Sequence, residues 1–243
     1  MALFNPTTLL SMGKDMVYWE QKIVKMYRIA LLLFSSIITF NCQNTIEQHG
    51  GQLELPYYNS ADFTPHFISN PEEIEDSITH RISDFSFLNQ DSATINEKDI
   101  EGKVHIANFI FTSCISICPD MTSNMKKISH AFKDSTNVVL LSYSVMPWRD
   151  SPSVLKKYKE NENINNENWH FLTGSKSDIY NLARTSYFAE QQLGYSKDSS
   201  EFLHTEHFVL VDDRRRIRGI YNGTLSLEMD YLIEDIKNLL GSN

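Results

Sequence analysis

"FIFTSCISICPDM" (residues 109–121) decides the reading of this chain. An apolar run, "KVHIANFIF" (103–111), ends in two cysteines, Cys114 and Cys118, and Pro119 follows the second. The run alternates only weakly, as a strand buried on both faces does. Beyond the cysteines, Met121, Met125, Ile128 and Phe132 recur at helical spacing. The pair therefore falls where a central strand hands over to a helix. A helix N-terminus favours thiolate over thiol, and proline suits a first helical turn. A spacing of i, i+4 puts both sulfurs on one side of a helical turn, within reach of a disulfide or of joint ligation of one soft ion. A bridge closing so short a loop gains little stability. Inert core cysteines fit poorly at a partly exposed junction. A structural zinc site lacks a second Cys/His pair at finger-like spacing. A redox pair and a metal-binding pair both stay open.

Outward from this stretch the chain keeps alternating. Upstream, Phe85 and Phe87, a turn at "NQDS" (89–92) and the return Ala93–Ile95 predict a β-hairpin. Downstream, "NVVLLSYSV" (137–145) predicts a second buried strand. "SPSVLKKYKEN" (151–161) predicts a helix with Ser151 as cap and Pro152 at its first position. "NWHFLTG" (168–174) is a short strand, "SKSDIYNLARTSYF" (175–188) a helix, and "EHFVLVDDRRRIRGIYNG" (206–223) two strands about a polar turn. "SLEMDYLIEDIKNLLG" (226–241) closes the chain as an amphipathic helix with Met229, Leu232, Ile233, Ile236, Leu239 and Leu240 on one side. Strand–helix alternation implies parallel strands, and the closing hairpin an antiparallel edge. The expected fold is α/β and thioredoxin-like: a mixed central sheet flanked by helices, with an N-terminal β-hairpin, over residues 80–243.

The N-terminal part reads differently. "MYRIALLLFSSIITFNCQN" (26–44) has Lys25 and Arg28 ahead of an apolar core from Ile29 to Phe40. That core is shorter than the ~20 residues that span a bilayer, and its flanks are those of an export signal. Cys42 stands where a bacterial lipoprotein signal places its lipid-acceptor cysteine. Residues 1–25 are then an upstream extension, 26–42 a signal or membrane anchor, and 43–79 a polar, turn-rich linker. The expected location is the cell envelope, anchored to the membrane and facing the periplasm. Lipidation of Cys42 leaves Cys114 and Cys118 as the remaining cysteines, since the chain has three. Three cysteines in 243 residues are too few for a disulfide scaffold. A formal charge of −9 excludes an electrostatic basis for nucleic-acid binding.

Four segments carry a family resemblance, in order, over roughly residues 80–240. "FIFTSCISICPDMTSNMKKI" resembles the Sco/SenC signature, a Phe-rich strand followed by Cys-x-x-x-Cys-Pro. "LLSYSVMPWRDSPSVLKKYKE" is similar to that family's S-V-D-P-x-R-D-T-P strand and helix. "NWHFLTGSKSDIYNLAR" and "FLHTEHFVLVDDRRRIRGIYNGT" resemble its tryptophan and histidine segments. The resemblance implies a thioredoxin-like fold that binds copper through Cys114, Cys118 and His204. It further implies help in assembling the binuclear copper centre of cytochrome c oxidase, with the copper-site subunit as partner. Some members act as thiol–disulfide reductases, so a reductase using Cys114 and Cys118 as redox pair, without physiological copper, is the alternative. Two thiolates suit Cu(I), and an added imidazole accommodates Cu(II).

The sequence departs from the pattern at Ile115 and Ser116, where many relatives carry Pro-Asp, and at Met146, where they carry Asp. Both changes remove acidic groups near the site and leave the ligands untouched. His207, three residues on, competes with His204 as nitrogen donor, but it falls inside the predicted strand, whereas His204 precedes it in a loop. Met121 and Met125 read as core stripe rather than accessory thioethers. "DDRRRIR" (212–218) reads as a solvated turn rather than a docking patch. The region of the histidine loop lacks the proline that ordinary thioredoxins carry there, which argues against a general disulfide oxidoreductase. A peroxidase use of Cys114, with Cys118 resolving, is an outside reading.

Overall fold

A computed structural model describes residues 54–189 and 205–241. Nine strands form one sheet among these residues, in the order β2-β1-β9-β8-β5-β6-β7-β3-β4. They are β1 (Tyr57–Tyr58), β2 (Pro65–His66), β3 (Ser86–Asn89), β4 (Thr94–Asn96), β5 (Val104–Ile110), β6 (Val138–Ser144), β7 (Trp169–Thr173), β8 (His207–Val211) and β9 (Ile217–Asn222). The helices are α1 (Pro71–Ser77), α2 (Glu97–Ile100), α3 (Cys118–Ala131), α4 (Pro152–Asn161), α5 (Lys176–Thr185) and α6 (Ser226–Gly241).

β5, β6 and β7 are mutually parallel, and every other pairing is antiparallel. This is the mixed sheet expected from the alternation of strands and helices. β5 and β6 are buried at every position, which is why their sequences do not alternate. The crossovers β5-α3-β6 and β6-α4-β7 advance in one direction, so α3 and α4 share a face, joined there by α6. Met121, Met125, Ile128, Phe132, Leu155, Met229, Leu232 and Ile236 fill that side of the core. The opposite side holds α5 with Phe85, Phe87, Phe109, Tyr143 and Tyr187. The helical stripes read from spacing are thus the buried faces.

The hairpin expected around "NQDS" is β3–β4, pairing Phe87 with Ile95. Residues 54–79, expected as linker, hold β1, β2 and α1. β1 pairs with β9, and Asn70 caps α1 by accepting from the Glu72 N–H at 3.1 Å. At α4 the expected cap position is right, but the Ser151 hydroxyl meets Ser153 at 3.0 Å instead of a backbone N–H. Among the described residues no helix is long and apolar enough to cross a membrane. The signal segment and Cys42 lie outside the described residues.

Candidate metal centre

β5 and β6 run side by side in register to Ile110 and Ser144, and the Val145 N–H still bonds the Ile110 carbonyl at 2.9 Å. Beyond that point β5 opens into the loop that carries Cys114. The Cys114 N–H donates to the Phe111 carbonyl at 3.2 Å, closing a tight turn. α3 begins at Cys118, with Pro119 in its first turn, as the sequence predicted. The two cysteines do not share a helical turn, however. Cys114 sits before the helix in a separate turn, because the helix starts only at the second cysteine.

Both cysteines are free thiols, and their environments differ. Cys118 is 4% exposed and belongs to the α3-side core with Phe208 and Leu210. Burial pushes its thiol up to about 12; a backbone hydrogen bond with Phe111 counters, while the Cys114 sulfur and the Asp150 charge add to the rise. Cys114 is half-buried. Burial would raise it too, but the Cys118 thiol and the backbone N–H groups of Cys118, Ser116 and Ile117 stabilise its thiolate, and the balance is a lowered value. The pair thus joins an accessible sulfur inclined to ionise and a buried sulfur that keeps its proton until a partner replaces it.

The surroundings are apolar and open. Ile115, between the cysteines, is 96% exposed, and Ile117 and Trp148 are exposed as well. Lys176 lies over the Trp148 ring at 5.3 Å. On the inner side, Tyr158 of α4 shares a hydrogen bond of 2.7 Å with Thr122, one turn beyond Cys118. Burial pushes the Tyr158 hydroxyl up to about 12. Met121 and Met125 are fully buried in the core, in keeping with a packing stripe. Asp150, which the sequence reading passed over, is 1% exposed and holds Thr112 and Ser144 at the base of the cysteine loop. Its signal was only the R-D pair of the second motif.

His204 lies outside the described residues. The chain enters β8 just after it, and β8 runs antiparallel to β5, with Ala107 opposite Val209. The start of β8 is therefore at the end of the sheet where β5 gives way to the cysteines. His207 does not face them. It alternates with Val209 and Val211 toward the α5 side, where its ring meets Phe63 edge-on at 6.1 Å. Burial lowers its basicity. Among the described residues no three His, Cys, Asp or Glu side chains converge as a metal-binding group. Among the described residues the two cysteines are the donors at this site. Their chemistry fits a soft ion: two sulfurs, one inclined to ionise, in a largely apolar setting.

Comparison with known proteins places this arrangement. The SCO1/SenC family model matches residues 75–241. The SCO1 protein homolog of Bacillus subtilis is 34% identical over 169 residues, covering 69% of this chain and 86% of its own length. The structure of BsSco, a member of the Sco family of cytochrome c oxidase assembly proteins in which a disulfide switch was identified, superposes with a TM-score of 0.57 at 32% identity; the match covers 68% of this chain and 95% of BsSco. Copper-bound ScoI of Arabidopsis thaliana superposes with a TM-score of 0.51 at 25% identity, over 65% of this chain and 98% of that one. With a family model spanning the cysteine pair and strands β3 to β9, the chain belongs to the SCO1/SenC family.

Proposed function

We propose that this protein binds copper through Cys114 and Cys118, with His204 as third ligand, and assists assembly of the copper centre of cytochrome c oxidase. The observation that carries the reading is the sulfur pair itself. An accessible, thiolate-inclined Cys114 and a core-held Cys118 meet at the strand-to-helix joint, in a family with copper-bound members. Two sulfur donors suit Cu(I), and an imidazole from the chain entering β8 would accommodate Cu(II). Both thiols must give up their protons, so affinity falls as the pH drops. The copper-site subunit is the partner that this reading names. Cys42, as lipid acceptor behind the apolar core Ile29–Phe40, would tether the domain 80–243 to the envelope membrane.

The asymmetry of the two thiols supports a second reading, a thiol–disulfide reductase. In thiol exchange an exposed, low-pKa sulfur attacks and a buried one resolves. One experiment separates the two. The full chain, in a Cys42→Ala background and reduced, is titrated with Cu(I) and Cu(II), alone and as His204→Ala. One equivalent bound, with Cu(II) affinity lowered at least tenfold by His204→Ala, is expected. A protein that binds no copper yet reduces a partner disulfide would leave the reductase reading standing alone.

A further inference from the structure

Asp150 is buried without a cation. Among the described residues its carboxylate meets only neutral donors. Oδ1 accepts from the Thr112 hydroxyl at 2.6 Å. Oδ2 accepts from the Thr112 N–H at 3.1 Å and from the Ser144 hydroxyl at 2.6 Å. Ser144 in turn accepts from the Met146 N–H at 3.1 Å. The Met146 carbonyl accepts from the N–H groups of Arg149 and Asp150 at 2.8 and 2.9 Å. The whole 144–150 turn is therefore organised to present this carboxylate to one residue of the cysteine loop. A buried carboxylate is costly unless it is paired or hydrogen-bonded, and among the described residues these three hydrogen bonds, with no salt bridge, are what meet it.

We propose that Asp150 is a positioning residue for the thiol pair, fixing the base of the loop that carries Cys114 so that its sulfur stands apart from that of Cys118. The two sulfurs differ in freedom. Cys118 is anchored by α3 and by its burial in the core. Any change in sulfur spacing must then be taken up by residues 112–117. Thr112 is the first of these, and both its donors are committed to Asp150. A disulfide needs the sulfurs at about 2.05 Å, whereas two sulfurs that share one ion stay farther apart. A loop fixed at its base resists the closer approach and presents donors ready for an ion. Outer-shell contacts of this kind are commonly worth ten- to a hundredfold in metal affinity. The metal half of the inference rests on the copper reading; the spacing half does not.

The test uses the full chain in a Cys42→Ala background as Thr112→Val, Thr112→Ser and Asp150→Asn. Thr112→Val removes one clamp bond and keeps shape and charge; Thr112→Ser keeps every bond. The first readout is metal-free: equilibrium with oxidised glutathione, in which the protein's two thiols become one disulfide while the glutathione disulfide breaks and takes up the two electrons and two protons as two reduced glutathiones. Thr112→Val should shift that equilibrium about tenfold toward the disulfide, and Thr112→Ser should match the parent. The second readout is Cu(I) affinity, expected to fall at least tenfold in Thr112→Val and Asp150→Asn. A Thr112→Val protein that loses urea stability but keeps the equilibrium within twofold, or shifts it toward the dithiol, overturns the proposal. If the parent binds no copper, the copper reading fails and the glutathione equilibrium decides this inference alone. If Asp150→Asn does not fold, the two Thr112 variants decide.

Discussion

Cys114 and Cys118 lie four residues apart and behave as different chemical species. Sequence spacing predicted that they meet, but not that one would be half-exposed and the other enclosed. That division follows from where the helix starts. Cys118 is its first residue and points into the core, while Cys114 stays in the preceding turn. Alkylation of the reduced protein should therefore modify Cys114 first. Its rate should rise with pH through a midpoint below that of a free thiol, because the thiolate is the nucleophile and its value is lowered. Cys118 should react far more slowly than Cys114 at every pH at which the fold persists, because burial both raises its thiol and encloses it. Peptide mapping after brief iodoacetamide treatment reads both, and equal labelling at pH 7 would contradict the assignment. Asp150 was illegible at this scale. Its partner Thr112 is 38 residues away in sequence, and the R-D pair of the second motif does not show that the aspartate acts across two loops.

Among the elements, the strand–helix alternation was legible because buried parallel strands are continuous apolar runs and the helices show one-sided stripes. The polar contacts that bind the elements were not. The Trp169 Nε1–H of β7 donates to the Ser142 hydroxyl of β6 at 2.9 Å, and that hydroxyl donates to Asn108 Oδ1 of β5 at 2.7 Å. This chain of bonds crosses three strands inside the core. Ser142→Ala should strand both partners and cost about 1–3 kcal/mol in urea unfolding. A loss below ~0.5 kcal/mol would mean that another group satisfies them. Met125 on α3 is fully buried, and Met125→Ala should cost about 2–5 kcal/mol through lost packing and a residual cavity. A smaller loss, measured the same way, would show that the α3 face collapses to fill the space.

Across the molecule, a polar assembly lies at the end of the sheet opposite the thiols. Glu75 of α1 bonds Arg214 at 2.7 Å and Arg81 at 3.3 Å, and also Arg216. Arg216 is 4% exposed, and Arg218 stacks on Tyr57 at 3.8 Å while donating to the Pro56 and Leu55 carbonyls at 3.0 and 2.6 Å. The "DDRRRIR" turn read as solvated surface is in part a fastening for residues 55–75, ahead of the β3–β4 hairpin. Glu75→Gln leaves the buried Arg216 charge without its carboxylate. Amide exchange over residues 54–78 should quicken, while Cys114 alkylation stays unchanged. An altered alkylation rate would show that the two ends of the sheet are coupled.

The sequence by itself determined the alternation of strands and helices, the buried stripes of α3 and α6, and the meeting of two cysteines at a strand's end. These are local consequences of periodicity, helix-start chemistry and a four-residue spacing. The tertiary structure alone decided which sulfur is enclosed, that His207 turns to the face opposite the cysteines, and that a buried carboxylate grips the cysteine loop. It also decided that residues 57–77 join the domain rather than merely lead into it. Each of these depends on which face of a sheet a side chain meets, and on partners tens of residues distant. Pairing between distant segments sets those relations, and no local pattern encodes them.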